Sequence, residues 1–469
     1  MSDGGRTLAE QLAAFAMSTV QDHAPMEVRA SVRQRVLDIL GLQVAALELE
    51  TSQAALAFVR EQGGAPQASV VGSTGQLPAT WAAFVNGVLA HSLDYDDTHL
   101  PSVLHPSASV IPAAMAAAEF ADADGSRFVD AAAVGIEVVV RLGMAGYDRD
   151  TNNSVFFEHG QHATSICGAI GSAVAASLLL DDREAALVDA IGIAVSMASG
   201  VIEANRTGGT VKRLHCGWAA HAGVSAAQLA SKGFTGPPTV LEGRFGFFEA
   251  FLHGQVDFGE VGGGLGERWE VPRIFFKPYP ANHFTHTGLD AARRLRERGL
   301  GPGDVESAVL GVAGATVRTI GEPLAAKQRP ETGYQAQFSG PFMVSLGFLG
   351  GGGLGASLED FTDQLARDED RRELMGRIQV EADEQCDEIF PYQFPSVLRV
   401  RTKDGSHLEE RVLWNRGGPQ DPLSDAELIT KFRSNASRHL DAATIDRVIE
   451  GCDQLESAPV RELVAAWMP

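Results

Sequence analysis

The sequence predicts a mainly α protein with a smaller α+β domain, and three observations carry that expectation. Up to about residue 260 the chain repeats stretches of Ala, Gly, Val and Leu with no sustained alternation of polar and apolar residues. Beyond the glycine run at 262–266, strand-like runs alternate with helical ones, and Lys403-Asp-Gly405 stands between two of them as a hairpin turn. From Pro422 to Pro469 the pattern is helical again. We therefore expect a large all-helical domain formed by both chain ends. Residues 1–268 are its first part, residues 269–415 form a smaller α+β domain, and residues 416–469 are C-terminal helices that pack back, since two short helices make a poor core alone. A chain of 469 residues ordinarily divides into two domains.

Taken in order, residues 7–24 and 26–46 read as helices. In the second, Val28, Val32, Val36 and Leu40 recur every fourth position, while Arg29, Arg33 and Arg35 lie off that stripe. Residues 68–72 read as a short extended piece, and a helix entered after Pro78 runs from Trp81 to about His91. Ser107–Ala121 and residues 128–147, 161–180, 184–200 and 217–231 are further helices of small residues, with Gly233 placed to end the last of them. Val305–Val312 and residues 377–381 read as strands, Ser396–Thr402 and His407–Val412 as the hairpin arms, and residues 280–297 and 357–368 as helices between them. Ser424 and Asp441 are placed to cap the closing helices. The glycine runs at 262–266 and 350–355 lack the strand and acidic partner of a dinucleotide site and read as flexible connections.

Composition narrows the function. A net charge of −22 with a pI near 5.0 argues against nucleic acid or anionic membrane as a partner, so an anionic ligand must be met by a local group of cations. Four cysteines without a CxxC pair leave no scaffold for a zinc ribbon or a Cys-ligated iron–sulfur cluster, and fit a reduced cytoplasmic setting. No signal-peptide pattern and no apolar run of membrane-spanning length is expected.

Four clusters carry candidate chemistry. Residues 90–105 hold three aspartates, three histidines and a threonine, in Ala90-His-Ser-Leu-Asp94-Tyr-Asp96-Asp97-Thr98-His99 and His105. Helical continuation would set Asp94 and Thr98 one turn apart. The bland alternative is a capped helix end with solvated carboxylates, and a metal held by Asp94, His99 and His105 has no recognised spacing behind it. Glu158-His159-Gly-Gln-His162-Ala-Thr164 leads into a Gly/Ala helix, where His162 can meet a ligand near main-chain N–H groups. Arg206-Thr-Gly-Gly-Thr210-Val-Lys212-Arg213-Leu-His215 reads either as a carboxylate or phosphate cradle, or as a polar loop with solvated bases. In Lys277-Pro-Tyr-Pro280-Ala-Asn282-His283-Phe-Thr-His286, two prolines stiffen the presentation of a lysine and two histidines.

In this order the clusters resemble the MmgE/PrpD family, whose members include dehydratases, decarboxylases and epimerases of small carboxylates. The resemblance rests on His91-Ser-Leu-Asp-Tyr-Asp-Asp-Thr98, His105-Pro-Ser107, His162-Ala-Thr-Ser-Ile-Cys-Gly168, Lys212-Arg-Leu-His-Cys-Gly-Trp-Ala-Ala220, Gly233-Phe-Thr-Gly-Pro237, Leu241-Glu-Gly243, Lys277-Pro-Tyr-Pro280 and Ala336-Gln-Phe-Ser339. It implies that the α+β domain is a lid, with the active site between it and the helical domain, a homodimer, and chemistry without metal or organic cofactor. It carries active-site roles to Asp94, Thr98, His105, His162, Lys212 and Lys277. The decarboxylating members have a histidine at the place of Asn282 and a tyrosine at that of Phe342, which makes decarboxylation of cis-aconitate the less expected outcome.

The expected activity is a lyase acting on a small di- or tricarboxylate by abstracting a proton next to a carboxylate. A hydro-lyase ranks first, an epimerase or isomerase second and a decarboxylase third. His162 and His105 are the candidate base and acid, with Asp94, Lys212 and Lys277 completing the catalytic set. Thr98, Arg206, Asn282, His283 and His286 are the candidate substrate-binding residues. The rival of another class is a non-catalytic carboxylate-binding protein, and a metallohydrolase built on the Asp/His stretch is a third reading. Asp96, Asp97 and His99 are expected to shape the loop or meet solvent.

Overall fold

The computed structural model describes residues 5–151 and 153–467. Its contacts divide the chain after Ile274 and after Ser434, where the sequence placed divisions after residues 268 and 415. One unit holds both chain ends, and the other is the segment between them.

The first unit is helical apart from two hairpins of two-residue strands, Ala68–Ser69 with Gln76–Leu77 and Tyr147–Asp148 with Asn153–Ser154. Its centre is made by Ala79–His91, Ser107–Ala121, Gly125–Ala145, Ala163–Leu180 and Leu214–Ser231, packed through small side chains. Ala79–His91 and Leu214–Ser231 meet backbone to backbone. A Cβ on Gly87 would stand 2.8 Å from Gly217 Cα, and one on Gly217 would stand 2.4 Å from Phe84 O. Only glycine permits that approach, and it draws the end of the first helix toward the start of the second. Ala163–Leu180 is long and apolar enough to cross a membrane, against the expectation that no run reaches that length. It is almost wholly buried inside this unit, as a core helix is. Leu8–Asp22 opens with a Thr7–Glu10 capping box, and Ala442–Asp453 is capped by Asp441, whose carboxylate accepts the Thr444 N–H at 2.7 Å.

The glycine run at 262–266 is held rather than slack. The buried Arg141 guanidinium, paired with Glu137 at 2.7 Å, donates to the carbonyls of Gly263 at 2.8 Å, Gly264 at 3.2 Å and Arg268 at 2.7 Å. The glycines let consecutive carbonyls turn toward one cation, which the composition alone did not reveal.

The second unit is α+β. Its sheet runs in the order Ile378–Ala382, Val305–Val312, Ser396–Thr402, His407–Val412, the first pair parallel and the others antiparallel. Gly405, with φ at +86°, makes the hairpin turn between the last two strands. The helices His286–Glu297 and Gly340–Leu349 cover the sheet through Leu295, Val344 and Phe348 against Leu310, Ile378 and Leu398. Gly340–Leu349 escaped the sequence reading because apolar residues surround it on every side, leaving no period to detect. The helix expected at 280–297 begins only at His286, after the single turn His283–Thr285, because the prolines before it hold the chain extended. Residues 357–368 form two single turns, Leu358–Asp360 and Asp363–Ala366, in place of one helix.

Candidate active site

The helix ends of the first unit place four imidazoles side by side. His91 closes Ala79–His91, His105 stands two residues before Ser107–Ala121, His162 is the N-cap of Ala163–Leu180, and His215 lies in the first turn of Leu214–Ser231. Ring centroids are 5.2 Å apart for His91 and His105, 5.9 Å for His91 and His162, and 4.8 Å for His162 and His215. All four are buried.

The loop after His91 does not continue the helix, so Asp94 and Thr98 are not one helical turn apart. Ser92 Oγ turns back to donate to Val88 O at 2.6 Å, and Asp94 adopts a left-handed φ of +52°, which an aspartate tolerates better than most residues. The turn leaves Asp94 at the open edge of the cluster, where Lys212 Nζ meets its Oδ1 at 3.3 Å and both side chains remain partly exposed.

The next two aspartates turn inward, so of the two expected roles they shape the loop and do not meet solvent. His91 Nδ1 lies 2.7 Å from Asp96 Oδ2, and an ionised carboxylate only accepts, so the ring carries its proton on Nδ1. His91 Nε2 has no hydrogen-bond partner among the described residues. Asp97 uses both ends. Its carboxylate is held by Arg35 Nη1 at 2.5 Å and by Ser107, while its main-chain carbonyl accepts from His105 Nδ1 at 2.7 Å. A carbonyl has no proton to give, so neutral His105 has its proton on Nδ1 and an unprotonated Nε2. Thr98 Oγ1 stands 3.4 Å from the same Nδ1, and Thr164 Oγ1 accepts the His105 main-chain N–H at 3.1 Å.

Arg35 is fully buried and donates also to the carbonyls of Val271 at 3.0 Å and Ile274 at 2.8 Å. Burial pushes the Asp97 carboxyl up and the Arg35 guanidinium down, while each charge pulls the other back. His99 faces this interior rather than solvent, with Nδ1 2.6 Å from Ser102 Oγ. Burial, then the charges of Arg273 and Arg35, lower its pKa to about 3.

His162 and His215 form the closest pair, Nδ1 to Nδ1 at 2.8 Å. His162 also donates its main-chain N–H to Gly200 O at 3.1 Å, and Ser165 Oγ donates to His215 O at 3.2 Å, which fixes the two helix starts against each other. Burial first, then His215, His91 and the Lys212 charge, holds His162 well below the usual imidazole range. Burial, His91 and Lys212 bring His215 down to about 4. Both rings are therefore neutral near pH 7.

His91, Asp96 and Cys216 bring one donor atom each within 4.8 Å of one another, a spacing that could hold a metal ion. Burial raises the Cys216 thiol well above its ordinary range, and the imidazole and carboxylate already share a hydrogen bond. We read the three as a hydrogen-bonded pair beside a protonated thiol.

Of the sequence-predicted residues, the structure thus gathers Asp94, Thr98, His105, His162 and Lys212 in the first unit. Arg206 lies in the turn Ala204–Thr207, and its side chain is outside the described residues. Lys277, Asn282, His283 and His286 belong to the second unit. There Asn282 caps a turn, its Oδ1 accepting the Phe284 N–H at 3.1 Å. His283 and His286, 4.6 Å apart, pack among Phe275, Tyr279 and Phe394, and His286 Nε2 donates to Ala281 O at 3.1 Å. Lys277 is buried in the same unit.

Reading the sequence for sites missed His91, Asp96, His215 and Arg35. Two signals were present. Lys212 and His215 stand three apart, the spacing of one helix face, and His91 and Asp96 flank the break that ends a helix. Arg35 gave no signal beyond lying off an apolar stripe.

Comparison with known proteins agrees along the chain. The MmgE/PrpD N-terminal domain model matches residues 10–258, and the MmgE/PrpD C-terminal domain model matches residues 279–455. The cis-aconitate decarboxylase of Homo sapiens is 30% identical over 96% of this chain and 92% of its own. That of Mus musculus is 31% identical over 81% and 76%, and that of Aspergillus terreus 26% identical over 97% and 96%.

Proposed function

Because the chain belongs to the MmgE/PrpD family, we propose that it is a lyase acting on a small tricarboxylate or dicarboxylate, moving protons at the carbon beside a carboxylate, with loss of water as the first reading. The observation that supports this most directly is the state of the imidazoles. Neutral His105, with Nδ1 donating to the Asp97 carbonyl, has a bare Nε2, and His162 is held neutral in the same buried cluster, edged by the Lys212–Asp94 pair. Eliminating water needs a base at the α-carbon and an acid at the departing hydroxyl, and these two rings can serve both tasks.

In this reading His105 Nε2 takes the α-proton. Lys212 binds the adjacent carboxylate and offsets the charge that gathers on it as the proton leaves. The C–O bond then breaks, with the hydroxyl leaving as water on a proton from His162. Thr98 and Asp94 orient the substrate hydroxyl, and Arg35 acts at a distance by fixing Asp97, whose carbonyl sets the His105 tautomer.

Decarboxylation is the second reading, favoured by relatives named cis-aconitate decarboxylase that match nearly the whole chain. Loss of carbon dioxide leaves the bonding pair conjugated with a remaining carboxylate, and one proton delivered to carbon completes the reaction. The two departures noted in the sequence weigh little against it. Phe342 is fully buried in the interior of the second unit with Arg371 over its ring, and Asn282 is engaged as a cap.

The test is to incubate the purified protein in deuterium oxide with 2-methylcitrate, citrate and cis-aconitate. Product alkene, released carbon dioxide and deuterium incorporation are followed together. Alkene from a hydroxy acid supports the first reading, carbon dioxide from cis-aconitate the second, and exchange without net loss an epimerase. Silence in all three would sink the proposal and leave the non-catalytic binding protein.

A further inference from the structure

We propose that His215 is the proton partner of His162, the two rings sharing a single proton between their Nδ1 atoms so that the pair presents one Nε2–H and one bare Nε2. The inference deepens the lyase reading above and rests on it for its catalytic meaning, though the geometry stands by itself.

The two Nδ1 atoms lie 2.8 Å apart. That is a hydrogen-bond distance, and it admits one proton. Two N–H groups facing each other would bring their hydrogens into collision. Two bare nitrogens would oppose lone pairs in a buried place, leaving both unsatisfied. Around the pair stand His91 from the end of Ala79–His91, His105 from the following loop, and Lys212 from the turn before Leu214–Ser231. A third proton, which would charge the pair, is opposed by Lys212 and by burial, so the pair carries two protons in all. One lies between the rings, and the other must sit on one of the two Nε2 atoms.

The pair is thus an acid and a base at once. In the order that the acid role of His162 requires, His215 Nδ1–H donates to His162 Nδ1 and holds the remaining proton on His162 Nε2. When His162 gives up that proton, its Nδ1 can take the shared one as its Nε2 is left bare. The His215 Nδ1–H bond breaks as the His162 Nδ1–H bond forms, the bare His215 Nε2 takes a proton from water, and the proton that His105 took from the α-carbon neutralises the hydroxide so formed. Each step moves one proton, and nothing is oxidised or reduced. His215 is a positioning residue in this scheme, acting through His162. Ser165, three residues after His162, bonds the His215 carbonyl and so ties the two ring positions to one local frame.

The experiment uses the full chain labelled with 15N-histidine, with His162→Gln and His215→Asn spectra assigning the two rings. At pH 7 the wild type should show opposite neutral tautomers, one Nδ1–H and one Nε2–H. Turnover gives a second readout. His215→Leu should lower kcat on the order of a hundredfold with KM within about twofold, the loss expected when an acid–base group is misplaced. His215→Asn, whose amide sits where Nδ1 does and can give or take the same bond, should recover kcat to within about tenfold of wild type. Two rings of the same tautomer, an imidazolium in either ring at pH 7, or an unchanged kcat in His215→Leu would each overturn the proposal. If wild type turns over no tricarboxylate, the lyase reading fails by itself, and the tautomers still decide the pair.

Discussion

His91, His105, His162 and His215 in the first unit are buried to the same degree as His283 and His286 in the second, yet their surroundings differ in kind. In the first group each ring nitrogen that makes a contact meets a carboxylate, a carbonyl, a hydroxyl or another imidazole, and the group ends at a partly exposed Lys212–Asp94 pair. In the second group the rings lie edge to face against Phe275, Tyr279 and Phe394. Burial and residue type are shared. An imidazole-to-imidazole hydrogen bond and an edge at a partly exposed Lys212–Asp94 pair belong to the first group, and those are the features that proton transfer on an anionic substrate can use.

The largest expected effect tests that contrast directly. His162→Gln should cost about a thousandfold in kcat, within the range of general acid–base groups, with the unfolding midpoint little changed. His286→Leu should do the reverse. It leaves the Ala281 carbonyl without its donor and should lower stability by about 1–3 kcal/mol in urea unfolding, with kcat per folded molecule unchanged. A catalytic loss in His286→Leu without a stability loss would break the comparison.

Next in size is the support beneath the first group. Asp97→Asn removes the carboxylate charge that Arg35 Nη1 meets and should destabilise the fold by about 3 kcal/mol. The main-chain carbonyl at position 97 is untouched by the substitution, so folded molecules should keep measurable activity. Lys212→Met comes after it, with KM for a tricarboxylate raised on the order of tenfold to a hundredfold, the value of a hydrogen bond to a charged group. An unchanged KM would take Lys212 out of substrate binding.

How much of this was legible in the sequence follows from the range of each interaction. Local spacing placed Ser107–Ala121, Val305–Val312 and the hairpin arms residue for residue, because periodicity and turn chemistry are local. The helix Gly340–Leu349 had no polar face and so no period. At the site, His105, His162, Lys212 and Asp94 were marked by short clusters of polar residues in apolar sequence. Arg35, sixty-two residues before Asp97, was not, because a buried ion pair leaves no pattern in either segment. The inward turn of Asp96 also escaped. It depends on Asp94 taking a left-handed φ, a choice that one residue's identity permits without dictating.

The smallest predicted effect belongs to His99, buried next to the first group, in its response to acid. His99 keeps a pKa of about 3 in the folded chain, against about 6.5 when unfolded. Between these values the unfolded chain holds a proton that the folded chain does not. The stability contributed by neutral His99 is complete above about pH 6.5 and falls as pH falls through that window. The slope for one such group is about 1.4 kcal/mol per pH unit, and His215, at about 4, adds to it over the upper part of the window. His99→Gln keeps a group that can bond Ser102 Oγ and cannot titrate. Its urea midpoint should therefore decline less steeply between pH 6.5 and 4 than that of the wild type, by about the slope of one proton. Parallel declines in the two proteins would mean that His99 titrates alike in the folded and unfolded chains, and that burial beside Arg35 does not hold it neutral.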